Sequence, residues 1–91
     1  MITPHSLSYR ELLDSPHWEK KRNSILTRDG NRCRNCEGKE RLQVHHRQYH
    51  INKHGEKVRP WNYANQYLIT LCNNCHRIGH EQYKVPFFKI N

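Results

Sequence analysis

All the cysteines of this chain fall into two Cys-x-x-Cys pairs, Cys33/Cys36 and Cys72/Cys75. Any fold it adopts must carry two tight turns, distant in sequence, to a common centre. Thiolates at this spacing are the commonest ligands of a closed tetrahedral zinc site; disulfides or an iron–sulfur cluster are the alternatives. A staple is needed, because 91 residues with 34% hydrophobic content form one small domain. Chains of this size bury only about 60–65% of the surface they expose when unfolded. Disulfides belong mainly to secreted chains, and residues 1–9 lack the basic start and apolar run of a secretory signal. No apolar stretch approaches the ~20 residues of a membrane span. The expectation is a cytoplasmic protein with no membrane partner, its Cys33, Cys36, Cys72 and Cys75 surrounding a structural Zn²⁺. Four thiolates leave no open coordination position, so that ion serves architecture rather than chemistry.

A second set of metal-binding groups consists of imidazoles. Residues 41–47 alternate like a short strand, with Leu42 and Val44 on one side. Neighbours on a strand point to opposite faces, so His45 and His46 cannot both join one ion. His76 and His80 are four apart and share a face of the helix expected from Cys75 to Tyr83. Cys75 lies about 100° around that helix from His76, which lets thiols and imidazoles occupy different sides. One strand histidine with His76 and His80 makes a three-imidazole site. Three protein ligands leave a position open, as a catalytic metal requires.

No repeat, low-complexity tract or linker divides the chain, so residues 1–91 read as a single domain with a core over about 15–83. Residues 1–8 read as a loose arm. Ser15-Pro16 opens a helix from about His17 to Thr27 that ends at Asp29-Gly30. Trp18, Ile25 and Leu26 face the core; Lys20, Lys21 and Arg28 face solvent or a polyanion. Leu68–Leu71 reads as a second strand antiparallel to the first. Asn73 or Asn74 caps the last helix, and Val85–Phe88 folds back on the body. Residues 48–67 read as a long irregular loop, and such loops are usually functional or mobile.

Sixteen Lys and Arg against eight Asp and Glu give a net charge of +8. That excess on so small a surface points to a polyanionic partner, nucleic acid first. Arg47 and Arg77, beside the histidines, are candidates to meet phosphates; Lys53, Lys57 and Arg59 are weaker ones. Tyr49, Trp61 and Tyr63 are expected to pack over the strands rather than stack on bases.

Together the residues C-x-x-C … L-x-V-H-H … L-I-T-L-C-x-x-C-H resemble the HNH nuclease family over roughly residues 15–80. The resemblance implies a small α+β fold: a ββα-metal (His-Me finger) core with a preceding helix, stapled by the four-cysteine zinc site. The His76/His80 pair is similar to the colicin-type branch, whose helix gives a second metal histidine. Carried over, the resemblance makes His46 the general base, and His45, His76 and His80 the ligands of the catalytic ion. The family's middle Asn is replaced by Tyr67, with Asn65 and Asn62 nearby.

The implied activity is metal-dependent DNA endonuclease chemistry leaving 5′-phosphate and 3′-hydroxyl ends. Three imidazoles favour Zn²⁺, Ni²⁺, Co²⁺ or Mn²⁺ over Mg²⁺. DNA would be held mainly by its backbone phosphates. Cutting both strands calls for a dimer or a larger phage or restriction assembly. Two alternatives accompany this reading: a non-catalytic zinc-ribbon nucleic-acid-binding module, or a subunit inactive without such an assembly.

Overall fold

The computed structural model describes residues 8–90. Among these, the chain is a small α+β fold with three α-helices and two two-stranded sheets. The arm expected over residues 1–8 lies, up to residue 7, outside the described residues. Ser8 is no part of a loose arm, since it caps a one-turn helix α1 (Tyr9–Leu12) that the sequence reading did not place. The Ser8 hydroxyl accepts from the Glu11 N–H, and the Glu11 carboxylate accepts from the Ser8 N–H, a reciprocal cap for two unpaired donors.

Helix α2 (Pro16–Arg28) starts where the Ser-Pro signal puts it, with the Ser15 hydroxyl accepting from the His17 N–H at 3.1 Å. Trp18 and Ile25 are buried, so the apolar spacing faces the core as expected. The chain leaves the helix through Gly30 at φ +71°, a left-handed conformation that suits a residue without Cβ. Arg28 is exposed, as expected, yet it is not free. Its guanidinium donates to the Asn65 and Leu68 carbonyls, both at 2.7 Å, and pairs with Asp29. Arg34 also reaches Asp29 at 2.8 Å, and the Thr70 N–H donates to the same carboxylate at 2.9 Å. Burial works to raise the Asp29 pKa, but the Arg28 and Arg34 guanidiniums and Thr70 outweigh it and hold the carboxyl well below its usual range. This fully buried carboxylate ties the end of α2 to the first cysteine turn and to the central sheet.

That sheet pairs β1 (Leu42–His46) antiparallel with β3 (Leu68–Cys72), Leu42 opposite Cys72 and His46 opposite Leu68. Helix α3 (Asn73–Gln82) follows β3 without a loop. It begins before the expected Cys75 because the cap is not an asparagine: Cys72 Sγ accepts from the Cys75 N–H at 3.4 Å. Residues 48–67 are more regular than expected. They hold β2 (Tyr49–Ile51) and a 3₁₀ turn (Asn65–Tyr67), and β2 pairs in parallel with β4 (Phe87–Lys89). The carboxy-terminal segment thus folds back as a strand. Trp18, Ile25, Tyr63 and Leu68 form the core, with Val44, Tyr49 and Trp61 against them, so the three aromatic residues of the loop pack as expected. No helix among the described residues is long and apolar enough to cross a membrane.

Candidate metal centre

The first Cys-x-x-Cys turn follows α2, and the second spans the junction of β3 and α3. Pairing of β1 with β3 and the Arg34 N–H bond to the Thr70 carbonyl at 2.9 Å bring the two turns together. The Sγ atoms of Cys33, Cys36, Cys72 and Cys75 all lie within 4.8 Å of one another, and all four thiols are free. Cys36 and Cys72 are 3.7 Å apart. That separation is far too long for a disulfide and matches the edge of a sulfur tetrahedron with metal bonds of about 2.3 Å. Backbone N–H groups of Asn35 and Cys36 point at Cys33 Sγ, each at 3.4 Å, and Asn35 Nδ2 donates to Cys75 Sγ at 3.3 Å. Burial raises the Cys33 thiol pKa, but backbone hydrogen bonds from Cys36, Cys72 and Asn35 more than offset it and bring it down to about 6. The set can hold a metal ion such as zinc.

A second cluster forms where β1 meets α3. Ligand nitrogens of His45, His76 and His80 also lie within 4.8 Å of one another. The His45 ring meets those of His76 and His80 edge-on, with centroids 4.7 and 5.1 Å away. His76 Nε2 and His80 Nε2 are 2.9 Å apart, a few tenths of an ångström under the edge of a tetrahedron with about 2.0–2.1 Å bonds. Burial, then repulsion from His76 and His80, brings the His45 pKa down to about 4. Burial, then His80, lowers that of His76 as well. At neutral pH these two rings carry lone pairs rather than charge, the form a metal needs. His76 Nδ1 is bonded to the Gln43 amide oxygen, and Gln43 Nε2 donates to Asn73 Oδ1 at 3.2 Å.

His46 points to the other face of β1, as strand alternation requires. It is 4% exposed. Its ring is stacked on Trp18 with centroids 5.1 Å apart and on Tyr49 at 5.3 Å, with Tyr63 edge-on at 4.8 Å. His46 Nε2 lies 3.0 Å from the Pro60 carbonyl oxygen. A carbonyl only accepts, so Nε2 carries the proton and Nδ1 keeps the lone pair. Burial lowers the His46 pKa, against the opposing effect of the Pro60 bond. His45, His46 and His76 nevertheless share the wall of one cleft of about 270 Å³, together with Trp18, Tyr49 and Arg22.

The residues near the expected middle Asn take separate places. Tyr67 sits edge-on to His50, and its carbonyl accepts from the Arg47 N–H at 2.7 Å. Asn65 is the residue that pins this segment, accepting Lys21 Nζ at 2.6 Å while its carbonyl accepts from Arg28. Arg47 is exposed beside His46. Arg77 is paired with Glu81 at 3.0 Å and with Asn74 at 2.8 Å, and lines a separate cleft with Arg41 and Cys72. Two groups escaped the sequence reading. Gln43 was findable, since it lies two residues from His45 on one strand and so shares its face. The Pro60 carbonyl carried no side-chain signal at all.

No family model, curated protein or solved structure matches this chain.

Proposed function

We propose that this chain is a metal-dependent endonuclease of the HNH type, hydrolysing phosphodiester bonds of DNA. One observation carries the reading: three imidazole nitrogens converge at the junction of β1 and α3, and a fourth histidine of different environment, His46, lines one cleft with two of them, His45 and His76. The succession β1, β3, α3 in one packed unit supports a ββα-metal core. The free, clustered cysteines support a structural zinc that closes it.

Each residue then has a distinct task. His45, His76 and His80 would hold a divalent ion, which when bound supplies Lewis-acid stabilisation of negative charge on the phosphoryl and departing oxygens. His46, uncharged and oriented by the Pro60 carbonyl, takes a proton from the attacking water on Nδ1. The water oxygen bonds to phosphorus, the P–O3′ bond breaks, and the 3′ oxygen gains a proton from solvent. A 5′-phosphate and a 3′-hydroxyl result. A positioned base of this kind contributes about 10²–10⁴-fold. Arg22 projects from α2 into the same cleft and has no ion-pair partner among the described residues. It therefore suits a substrate phosphate better than Arg77, whose guanidinium is already engaged. Arg47 offers a further phosphate contact at the exposed end of β1.

The burial of His46 between Trp18 and Tyr49 favours a second reading. There the histidine is a core residue, and the chain is a zinc-stapled nucleic-acid-binding module without catalysis. Cleavage of supercoiled plasmid in Mn²⁺, Ni²⁺, Co²⁺, Zn²⁺ or Mg²⁺ separates the two, with wild type beside His46→Gln. Gln at this position keeps a donor for Pro60 but provides no base. The nuclease reading expects nicking by wild type and a loss of at least about 100-fold in the variant, with DNA binding retained. Absence of cleavage by wild type in every metal, with DNA binding intact, supports the binding module instead.

A further inference from the structure

We infer that Gln43 is a positioning residue that decides which nitrogen of His76 is offered to a divalent ion. The inference rests on the three-imidazole cluster holding such an ion. Gln43 and His45 alternate onto one face of β1, the face that meets α3. The Gln43 amide oxygen is bonded to His76 Nδ1. An amide oxygen has no proton to give, so Nδ1 donates and the lone pair is left on Nε2. That nitrogen is the one 2.9 Å from His80 Nε2.

The other end of the same amide donates to Asn73 Oδ1 at 3.2 Å, and the Asn73 N–H donates to the Arg41 carbonyl at 2.9 Å. The amide is thereby held at both ends, between the strand that carries His45 and the helix that carries His76. A histidine free in water prefers its proton on Nε2. Without Gln43, His76 would tend to turn a protonated nitrogen toward the cluster, and that proton would have to leave before an ion could bind. Partners of this kind behind a ligating histidine are worth about 10–100-fold in metal affinity.

The test uses full-length protein with zinc already at the thiols. Side-chain ¹⁵N NMR without a second ion reads the His76 tautomer, and Co²⁺ titration followed by absorbance reads affinity. Wild type should carry its proton on Nδ1. Gln43→Leu should move it to Nε2 and weaken Co²⁺ binding by about 10–100-fold. Gln43→Glu restores an acceptor, so it should keep the Nδ1–H tautomer and bind Co²⁺ at least as tightly as wild type. A Gln43→Leu protein with unchanged tautomer, or with affinity within about twofold of wild type against that 10–100-fold expectation, overturns the inference. Should Gln43→Leu not fold, an Nε2–H tautomer in wild type, or weak binding by Gln43→Glu, overturns it equally. Wild type with an Nδ1–H His76 that binds no second ion would instead show that the three-imidazole reading has failed, and the inference falls with it.

Discussion

What separates His46 from the three clustered histidines is its company: aromatic faces above and below and one carbonyl at its edge, with no other imidazole stacked on it among the described residues. Burial lowers its pKa from the ordinary value of 6.5. A base with a depressed pKa is active once deprotonated, so activity should rise with pH through a midpoint below about 6.5 and be level at neutral pH. A profile of kcat/KM against pH at saturating metal checks this. A midpoint at or above 6.5 would mean that another group limits the reaction. That one strand histidine could meet His76 and His80 was legible from the alternation of a strand and the four-residue spacing on a helix, and the structure brings His45 to them. The orientation of His46 was not, because the group that sets it is a main-chain carbonyl at Pro60, and every residue has one. Tyr67, at the place where the resemblance puts the middle Asn, lies with its ring against His50.

The helices and strands differ in how far their ends could be read. Helix α2 was legible at both ends, since Ser15-Pro16 and Asp29-Gly30 are local signals. Replacing Ser15 by Ala should cost about 1 kcal/mol, read from the urea midpoint, because the His17 N–H loses its acceptor. Helix α3 begins early because a thiol does the capping, and cysteine is not read as a cap from sequence. Strands β2 and β4 were missed because each is three residues long and their pairing joins segments far apart in the chain. No alternation can build up over so short a span. The tie between α2 and β3 was equally hidden, since Asp29 reads as turn chemistry and only the fold brings Arg34 and Thr70 to it. Asp29→Asn should destabilise by about 2 kcal/mol at pH 7, less than a fully buried pair because both arginines are partly exposed. The folded Asp29 pKa is depressed, so its contribution is full above the unfolded value near 4 and fades as pH falls below that. Urea midpoints of the two proteins should therefore converge in acid; a constant gap would contradict the role given to the charge.

Taken together, the fold has a small core, and its cysteine and histidine clusters, each able to hold a metal ion, both draw residues from α3. Binding of a structural zinc in small domains is worth about 10–16 kcal/mol, comparable to or larger than a domain's typical net stability. Stripping metal from the thiols should unfold the chain, seen as loss of helical circular dichroism, whereas His80→Ala should leave that signal intact. The +8 charge predicts DNA affinity that falls steeply with salt, with a logarithmic slope of at least about −3 if three or four phosphates are contacted. The most direct test of the account is the nicking rate of metal-free protein refolded with increasing equivalents of Zn²⁺, then of Co²⁺ or Mn²⁺. The account predicts a folded, inactive protein once the thiols are filled, and activity that appears with the second equivalent and is weakened by His80→Ala. Full activity at one equivalent, or none at any, would contradict it.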